Sequence, residues 1–446
     1  MNRRTRHTLV GFLLVVGIAD ASTRADERPG PHQGEAARAK RSVYRSGQFI
    51  LRTDLSQADA NDVLKRMEAT LAFAAHYWRR ETRGQIECFV VHDLKHWPDA
   101  ALPHPLARVW IGGVGGATIS QMVGAGRSAR VKATVYACDE PGVVEHEVVH
   151  AYCFQAFGTS GPDWYKEGMA EFAVFGRDRV SGVRCPSELI NVLRSEQRMP
   201  IRQIVDGDLF TRQISDSMTA MLASRADVNR HVALDVWTDK DAEGVRRAKR
   251  AYLWSWALCH MLQNNPNYRD RFRLLGRNLL QKKDDSLESA FEPVMDQLVF
   301  EYVFFLNHIG VGYRVDLCGW DWTKRFRASK EWRSPRTIVP AVRGYQASGL
   351  MVVEGERWKY RTEGKWVTSD GGPWVDTDGD PMGRGRLMGV VLNDYRLSRP
   401  FELGLSGEFE APASGKLYLR CRDNWNQLGD NQGQVDVWLT CLSDTP

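Results

Sequence analysis

The stretch His146-Glu147-Val148-Val149-His150 is the most informative part of the sequence. The apolar pattern around it predicts a helix over residues 143–157 that ends at Gly158. Residues four positions apart lie on one face of a helix, so both imidazoles can reach the same metal ion. Zinc prefers such ligands and keeps one position open for water when it is catalytic. Glu147, between the two histidines, is the predicted general base.

A second helix is predicted over residues 164–175, beyond Gly158, and it carries two glutamates. A helix at this distance can return antiparallel to the first and supply a third metal ligand. Either Glu167 or Glu171 can be this third ligand, and we favour Glu167. Glu171, one turn later, is then placed to hydrogen-bond the nitrogen of a ligand imidazole that faces away from the metal.

The two motifs, His-Glu-Val-Val-His at 146–150 and Glu-Gly-Met-Ala-Glu at 167–171, resemble those of the gluzincin clan of HExxH zinc metallopeptidases, and within it an exported bacterial family. The resemblance covers residues 45–325. It implies zinc bound by His146, His150 and Glu167, with Glu171 behind His146. It also implies hydrolysis of peptide bonds by a zinc-activated water with Glu147 as general base. Such proteases also stabilise the negatively charged oxygen that forms on the substrate carbonyl. Tyr252 or His260 would do this here, unless both side chains only pack in the core.

The fold class predicted is a multidomain α+β protein. Residues 43–330 form the zincin-like, mainly helical metallopeptidase domain, with residues 225–247 as a loop. After about residue 332 short alternating segments separated by Gly, Pro and Asp replace the helical periodicity. That pattern predicts an all-β sandwich over residues 338–446.

The C-terminal loop at residues 423–431 is rich in Asp, Asn and Gly. Such a loop after a strand suits calcium, although a polar hairpin loop has the same composition. Residues 338–442 resemble the PA-IL-type galactophilic lectin domain. The resemblance implies calcium held by Asp423, Asp430 and Asn431 and by the backbone carbonyl of Gln427. The lectin's sugar-contacting residues have no counterpart in the Asp-rich loop at 376–381, which we read as a turn, so a glycan ligand stays open.

The N-terminus has the order of a secretory signal peptide: Arg3, Arg4 and Arg6, then an apolar run over residues 9–19, then Ala-Asp-Ala at 19–21. We expect cleavage after Ala21, a linker over residues 22–42, and a secreted or periplasmic product. No later segment is apolar enough for a transmembrane anchor. Export permits disulfides, and Cys421 with Cys441 is the favoured pair.

Charge and composition exclude some partners. The 446 residues carry 60 Lys and Arg against 55 Asp and Glu, a net charge of +5, and the two signs are interspersed. A nucleic-acid binder concentrates its basic residues in a patch, so no nucleic acid is expected. Two functions remain. One is a zinc metallopeptidase acting on a peptide or protein and tethered by a calcium- or carbohydrate-binding module. The alternative is a non-catalytic carbohydrate-binding or adhesion protein whose zincin domain is a scaffold.

Overall fold

The computed structural model describes residues 15–16, 41–82, 84–124, 130–176, 182–206, 239–328 and 336–442, the side chains at 15–16, 114 and 239–249 excepted. The predicted signal peptide and linker lie outside these residues, apart from 15–16 and 41–42. The chain is a mixed α+β protein. No helix in the described ranges is long and apolar enough to cross a membrane.

The contacts divide the chain into two compact units. The first comprises Met1–Asp178, Met199–His260 and Arg273–Leu287. The second comprises Arg179–Arg198, Met261–Phe272 and Glu288–Pro446. The second unit therefore combines helical segments with the C-terminal strands, whereas the sequence pattern by itself places a boundary at residues 330–338.

The first unit contains a mixed six-stranded sheet. Its strands are β1 (Val15–Val16), β2 (Ser42–Arg45), β3 (Phe49–Thr53), β4 (Ile86–Val91), β5 (Gly115–Val123) and β6 (Arg130–Cys138). The order across the sheet is β1-β5-β6-β4-β3-β2. Strands β3, β4 and β6 are parallel, while β5 runs antiparallel to β6 and β2 antiparallel to β3.

The helices are α1 (Gln57–Trp78), α2 (Ala107–Val114), α3 (Val143–Phe157), α4 (Asp163–Phe175), α5 (Ser187–Ser195), α6 (Ile201–Val205), α7 (Asp239–Asn264), α8 (Arg269–Leu280), α9 (Leu287–Phe291), α10 (Met295–His308) and α11 (Val315–Cys318). From Asp239 the chain is helical, so the loop predicted at 225–247 is wrong over that part, and its earlier part lies outside the described residues. Pro293 lies in a 3-10 turn, Glu292–Val294, that separates α9 from α10, because proline lacks the amide hydrogen that a continuous helix needs.

Helix α3 is the centre of the first unit. It packs against α1, α4, β5 and β6, and all but two of its fifteen residues are buried. Such complete burial explains why its apolar residues do not form a single stripe. Among its buried side chains are polar ones, Glu145, His146, Glu147 and His150. Buried polar groups need partners, which directs attention to what surrounds this helix.

The C-terminal strands of the second unit form two sheets. The first has four antiparallel strands in the order β14 (Ser406–Glu410), β10 (Arg357–Val367), β16 (Gln432–Cys441) and β8 (Arg336–Pro340). The second contains β12 (Arg396–Leu397), β11 (Leu387–Asn393), β15 (Gly415–Cys421), β9 (Gln346–Val352) and β7 (Arg327–Ala328), with β13 (Phe401–Leu403) also on β11. Both sheets contribute to one apolar core, which includes Trp358, Trp366, Leu419 and Val437.

A separate cluster of aromatic side chains joins α10 to the six-stranded C-terminal sheet. Phe304 of α10 and Trp320 pack with Tyr345 and with Tyr418 of β15. The centroids of the Trp320 and Tyr418 rings are 4.6 Å apart in an edge-on arrangement, which aromatic pairs favour. The helical segment around α10 is therefore part of the same hydrophobic core as these strands.

The eight cysteines, all within the described ranges, are thiols. The predicted disulfide between Cys421 and Cys441 is therefore wrong. Cys421 ends β15 in one sheet and Cys441 ends β16 in the other.

Candidate metal centre

The two histidines of α3 and Glu167 of α4 form one buried cluster. One ligand atom from each of His146, His150 and Glu167 lies within 4.8 Å of the other two. Oε2 of Glu167 is 3.1 Å from Nε2 of His146 and 3.3 Å from Nε2 of His150. None of the three side chains is more than 1% exposed. The structure thus brings together the three residues predicted as metal ligands.

Glu171 occupies the other side of His146. Its Oε1 lies 3.0 Å from Nδ1 of that imidazole, and its side chain is 1% exposed. A carboxylate at Nδ1 fixes the ring orientation and the tautomer, and so directs Nε2 toward Glu167. Of the two glutamates that the sequence leaves open, Glu167 therefore lies between the imidazoles and Glu171 lies behind one of them.

A glycine lets α4 lie close to α7. A Cβ at Gly168 would be 2.6 Å from both the carbonyl oxygen of Ser255 and Sγ of Cys259, so no larger residue fits there without a shift. The same helix α7 brings Tyr252 beside the cluster, where its ring centroid is 6.0 Å from that of His146. Tyr252 is fully buried.

His260, the other oxyanion candidate from the sequence, lies two turns further along α7. Its ring packs against Trp256 at 5.3 Å and Phe172 at 6.0 Å. The structure therefore separates the two candidates: Tyr252 contacts the imidazole of His146, and His260 packs among aromatic side chains.

Glu147 is fully buried, and strand β5 lies beside it. Thr118 of β5 donates a hydrogen bond of 2.7 Å from its hydroxyl to Oε2 of Glu147. Oε1 has no hydrogen-bond partner among the described residues. Gly116 also lies close, since a Cβ there would be 3.2 Å from Cγ of Glu147. No sequence pattern points to Thr118, because its role depends on where β5 packs against α3.

The pKa values in the cluster differ sharply. Burial lowers the pKa of His150 to about 4, so its imidazole is neutral at pH 7. Burial also acts against the charged form of His146, but the adjacent carboxylates of Glu167 and Glu171 raise the pKa of His146 to about 10. Burial acts to raise the pKa of Glu167, yet its contacts with His150, Lys166 and His146 hold this pKa well below its usual range. Burial raises the pKa of Glu147 to about 8.

Unpartnered atoms test whether the cluster fits a metal ion. Both ring nitrogens of His150 are buried and have no hydrogen-bond partner among the described residues, although Nε2 lies within 3.3 Å of Glu167. Buried polar atoms without partners are rare in folded proteins and are usually satisfied by a bound water or ion. Two imidazole nitrogens and one carboxylate oxygen are a donor set that holds a divalent transition metal. The residues present therefore fit such an ion.

The predicted calcium loop shows a less complete arrangement. Oδ1 of Asn431 and Oδ2 of Asp423 are buried and have no hydrogen-bond partner in the described part of the chain. Burial raises the pKa of Asp423, and the nearby carboxylate of Asp430 adds to this effect. Asp430 itself is exposed, and Gln427 precedes a 3-10 turn, Leu428–Asp430. The structure brings Asp423 and Asn431 together, with Asp430 nearby.

The Asp-rich loop at 376–381 has the hydrogen bonds of a turn. Oδ1 of Asp376 accepts from the amide of Asp378 at 3.0 Å. Oδ1 of Asp380 accepts from the amides of Met382 at 2.9 Å and Arg384 at 2.8 Å. Carboxylates that cap their own loop in this way are typical of Asx turns.

Comparison with known proteins adds little. No protein-family model matches the chain, and no curated protein matches it. Among solved structures, one described as "EclA N-terminal domain; PllA-like lectin" is similar over 24% of this chain and 94% of its own length, at 19% identity and a TM-score of 0.20. A TM-score of this size does not establish a shared fold.

Proposed function

We propose that the chain is an exported zinc metallopeptidase with His146, His150 and Glu167 as zinc ligands and Glu147 as general base. The observation that carries the proposal is the buried cluster of His146, His150 and Glu167, together with the buried Glu147 on the same helix as the two histidines, which keeps one unpartnered carboxylate oxygen. A purely structural metal site needs no such additional acid. Perturbed carboxylates beside a ligand cluster are typical of catalytic sites.

The roles of the residues follow from their positions. A zinc ion held here would supply a Lewis acid and lower the pKa of a water molecule. Glu147 accepts the proton of the attacking water at Oε1 and passes it to the leaving amine. Thr118 holds Oε2, and Glu171 holds the ring of His146. Tyr252, beside His146, donates to the oxyanion that develops on the substrate carbonyl.

We also propose a fold for the first unit and for the C-terminal strands. The first unit is a zincin-like domain, supported by α3 and α4 packed together beside β5 of a mixed sheet. The C-terminal strands are a lectin-like β-sandwich, supported by two sheets that share one apolar core. Such a module would tether the enzyme and raise the local concentration of its substrate. Export rests on the signal-peptide pattern of residues 1–21.

Digestion of a broad peptide library tests the activity. The purified protein should cleave peptides, lose that activity when a chelator removes the metal, and regain it when zinc is added back. Metal analysis of the same samples should find one zinc per chain in the active ones. Cleavage that persists in metal-free protein would contradict the proposal.

The alternative is a carbohydrate-binding or adhesion protein with a scaffold zincin domain. It is favoured by the unpartnered oxygens of Asp423 and Asn431, which suit a hard cation. We propose calcium for that position. Calcium should raise the melting temperature of the wild type but not of Asp423→Asn, and Asp370→Asn, an exposed aspartate in the same unit, is the control. Calcium-dependent glycan binding without any zinc-dependent cleavage would favour the alternative.

A further inference from the structure

Lys166, immediately before Glu167, is a nearly buried lysine beside the ligand cluster. Its side chain is 10% exposed, and its Nζ lies 3.4 Å from Oε1 of Glu167. The same ammonium group forms an ion pair with Asp163 at the start of α4. Lysine rarely accepts this degree of burial without paired carboxylates, and here it has two.

The two oxygens of Glu167 have different neighbours. Oε2 faces both imidazoles, at 3.1 Å from His146 and 3.3 Å from His150. Oε1 faces Lys166. A carboxylate whose second oxygen is held by a cation presents only its first oxygen to a metal ion.

We propose that Lys166 is a positioning residue that holds Oε1 of Glu167 and makes this glutamate a single-oxygen ligand. The inference rests on the proposed metal site. With Lys166 in place, the site has three protein ligand atoms and leaves room for water, as catalytic zinc sites do. Without it, both oxygens of Glu167 can turn toward the metal.

A cation near a metal ion would also repel that ion. The negative charge of Asp163 reduces this repulsion. The carboxylate of Asp163 pairs with the ammonium group, so that Lys166 and Asp163 together have no net charge. The pair therefore repels a metal ion less than Lys166 alone would. We expect the effect of Lys166 on the orientation of Glu167 to outweigh this repulsion. Substitution of a residue that holds a metal ligand in place typically weakens metal binding 10- to 100-fold.

The test compares Lys166→Met, which has similar length but no donor, with Lys166→Arg, which keeps the charge and the donors. Zinc affinity is measured on the full-length chain by competition with a chromophoric chelator. Lys166→Met should bind zinc at least about 10-fold more weakly than the wild type. Lys166→Arg should restore most of that loss. Lys132→Met, which removes a lysine paired with Glu87 elsewhere in the unit, is the matched control and should not change the affinity.

Cobalt replaces zinc in a second measurement, which a merely structural role would not affect. The visible absorption of cobalt weakens when a four-coordinate site becomes five-coordinate. Lys166→Met should show this weakening, because Glu167 can then bind with both oxygens. An unchanged spectrum together with unchanged zinc affinity would overturn the inference.

Asp163→Asn provides a second variant in case Lys166→Met does not fold. Asp163 is 31% exposed, so its substitution should be tolerated, and loss of the second anchor of Lys166 should weaken zinc binding several-fold. Unchanged affinity in this variant would count against the inference. Wild-type protein that binds no zinc would contradict the metal site and the inference with it. Zinc binding by the wild type that Lys166→Met leaves unchanged would contradict the role of Lys166 alone.

Discussion

The hydroxyl of Thr118 donates a 2.7 Å hydrogen bond to Oε2 of Glu147 across the contact between β5 and α3. The other oxygen, Oε1, has no hydrogen-bond partner among the described residues. One oxygen of this buried carboxylate is therefore fixed, and the other remains for a water molecule or a substrate. In the proposed reaction, this division would let Glu147 keep one orientation while it gains and loses a proton.

Thr118→Val should lower kcat about 10-fold, equivalent to about 1.4 kcal/mol, because valine has the same shape but cannot hold Oε2. Thr118→Ser keeps the hydroxyl and should restore most of the activity. KM and the amount of bound zinc should be similar in all three proteins. Wild-type kcat in Thr118→Val together with a loss in Thr118→Ser would show that the methyl group, and not the hydrogen bond, is what matters.

The roles of Glu167 and Glu171 can be separated by their effects on metal binding. Glu167→Ala removes an oxygen that lies between the two imidazoles, so zinc affinity should fall by more than about 100-fold. Glu171→Gln keeps a side chain behind His146, and the loss should stay within about 10- to 100-fold. Chelator competition measures both values. A larger loss in Glu171→Gln would move the ligand role to that residue.

Much of the site could be predicted from sequence because its signals are local. The predicted helix over 143–157 has the same bounds in the structure, since Gly142 and Gly158 bound it with φ of 96° and 75°. Glycine adopts such angles readily and other residues seldom do. The four-residue spacing of His146 and His150 follows from helix geometry alone. Their distances to Glu167 could not be predicted, since these depend on how α4 packs against α3.

Strand β5 was not predicted, and Thr118 was missed with it. The run Gly112-Gly113-Val114-Gly115-Gly116 favours a loop by local preference, yet the structure has α2 followed directly by β5 there. Pairing of β5 with β6 overrides that preference, because strand formation depends strongly on neighbouring strands. The disulfide prediction failed as well, because closeness of Cys421 and Cys441 in sequence does not ensure that their thiols pair.

A buried glutamate in the second unit offers a test of stability. Glu301 of α10 is 4% exposed. Its carboxylate accepts hydrogen bonds from Asn265 at 2.6 Å, Asn267 at 2.8 Å, Tyr268 at 2.8 Å, Trp320 at 3.3 Å and Trp322 at 2.5 Å. Five donors meet at two oxygens, so a side chain that itself donates cannot replace this one.

Glu301→Gln should lower the free energy of unfolding by about 3 kcal/mol, because its amide group would face donors and leave some of them unpaired. Thermal or urea denaturation measures the loss. Glu292→Gln, an exposed glutamate in the 3-10 turn just before α10, is the control and should change stability by less than about 0.5 kcal/mol. Equal stability of the two variants would contradict the importance of this network.

The pair of His92 and Asp139 should make stability depend on pH. Nδ1 of His92 lies 2.8 Å from Oδ2 of Asp139, and this hydrogen bond raises the pKa of His92 above its ordinary value of 6.5. The folded state therefore binds the proton more tightly than the unfolded state. The resulting stability is fully present below pH 6.5 and is lost as pH rises through the raised pKa.

His92→Gln should therefore destabilise the protein at pH 6 and have little effect at pH 9. Since the His92 side chain is 63% exposed, solvent screening limits the difference to about 0.5 kcal/mol. Urea denaturation at both pH values measures it, with the exposed His76→Gln as control. The same loss at pH 6 and pH 9 would exclude a contribution from the charge of His92.

Glu147→Gln tests the central claim most directly. Glutamine has nearly the same shape but cannot accept the proton of the attacking water, so kcat for peptide cleavage should fall by at least about 10²- to 10⁴-fold. Bound zinc should remain at one per chain, because Glu147 is not among the three residues placed to hold the metal. Peptide cleavage and zinc content are measured on the same preparation of variant and wild type. Loss of cleavage with zinc retained is the predicted result, and wild-type cleavage in the zinc-loaded variant would contradict the account.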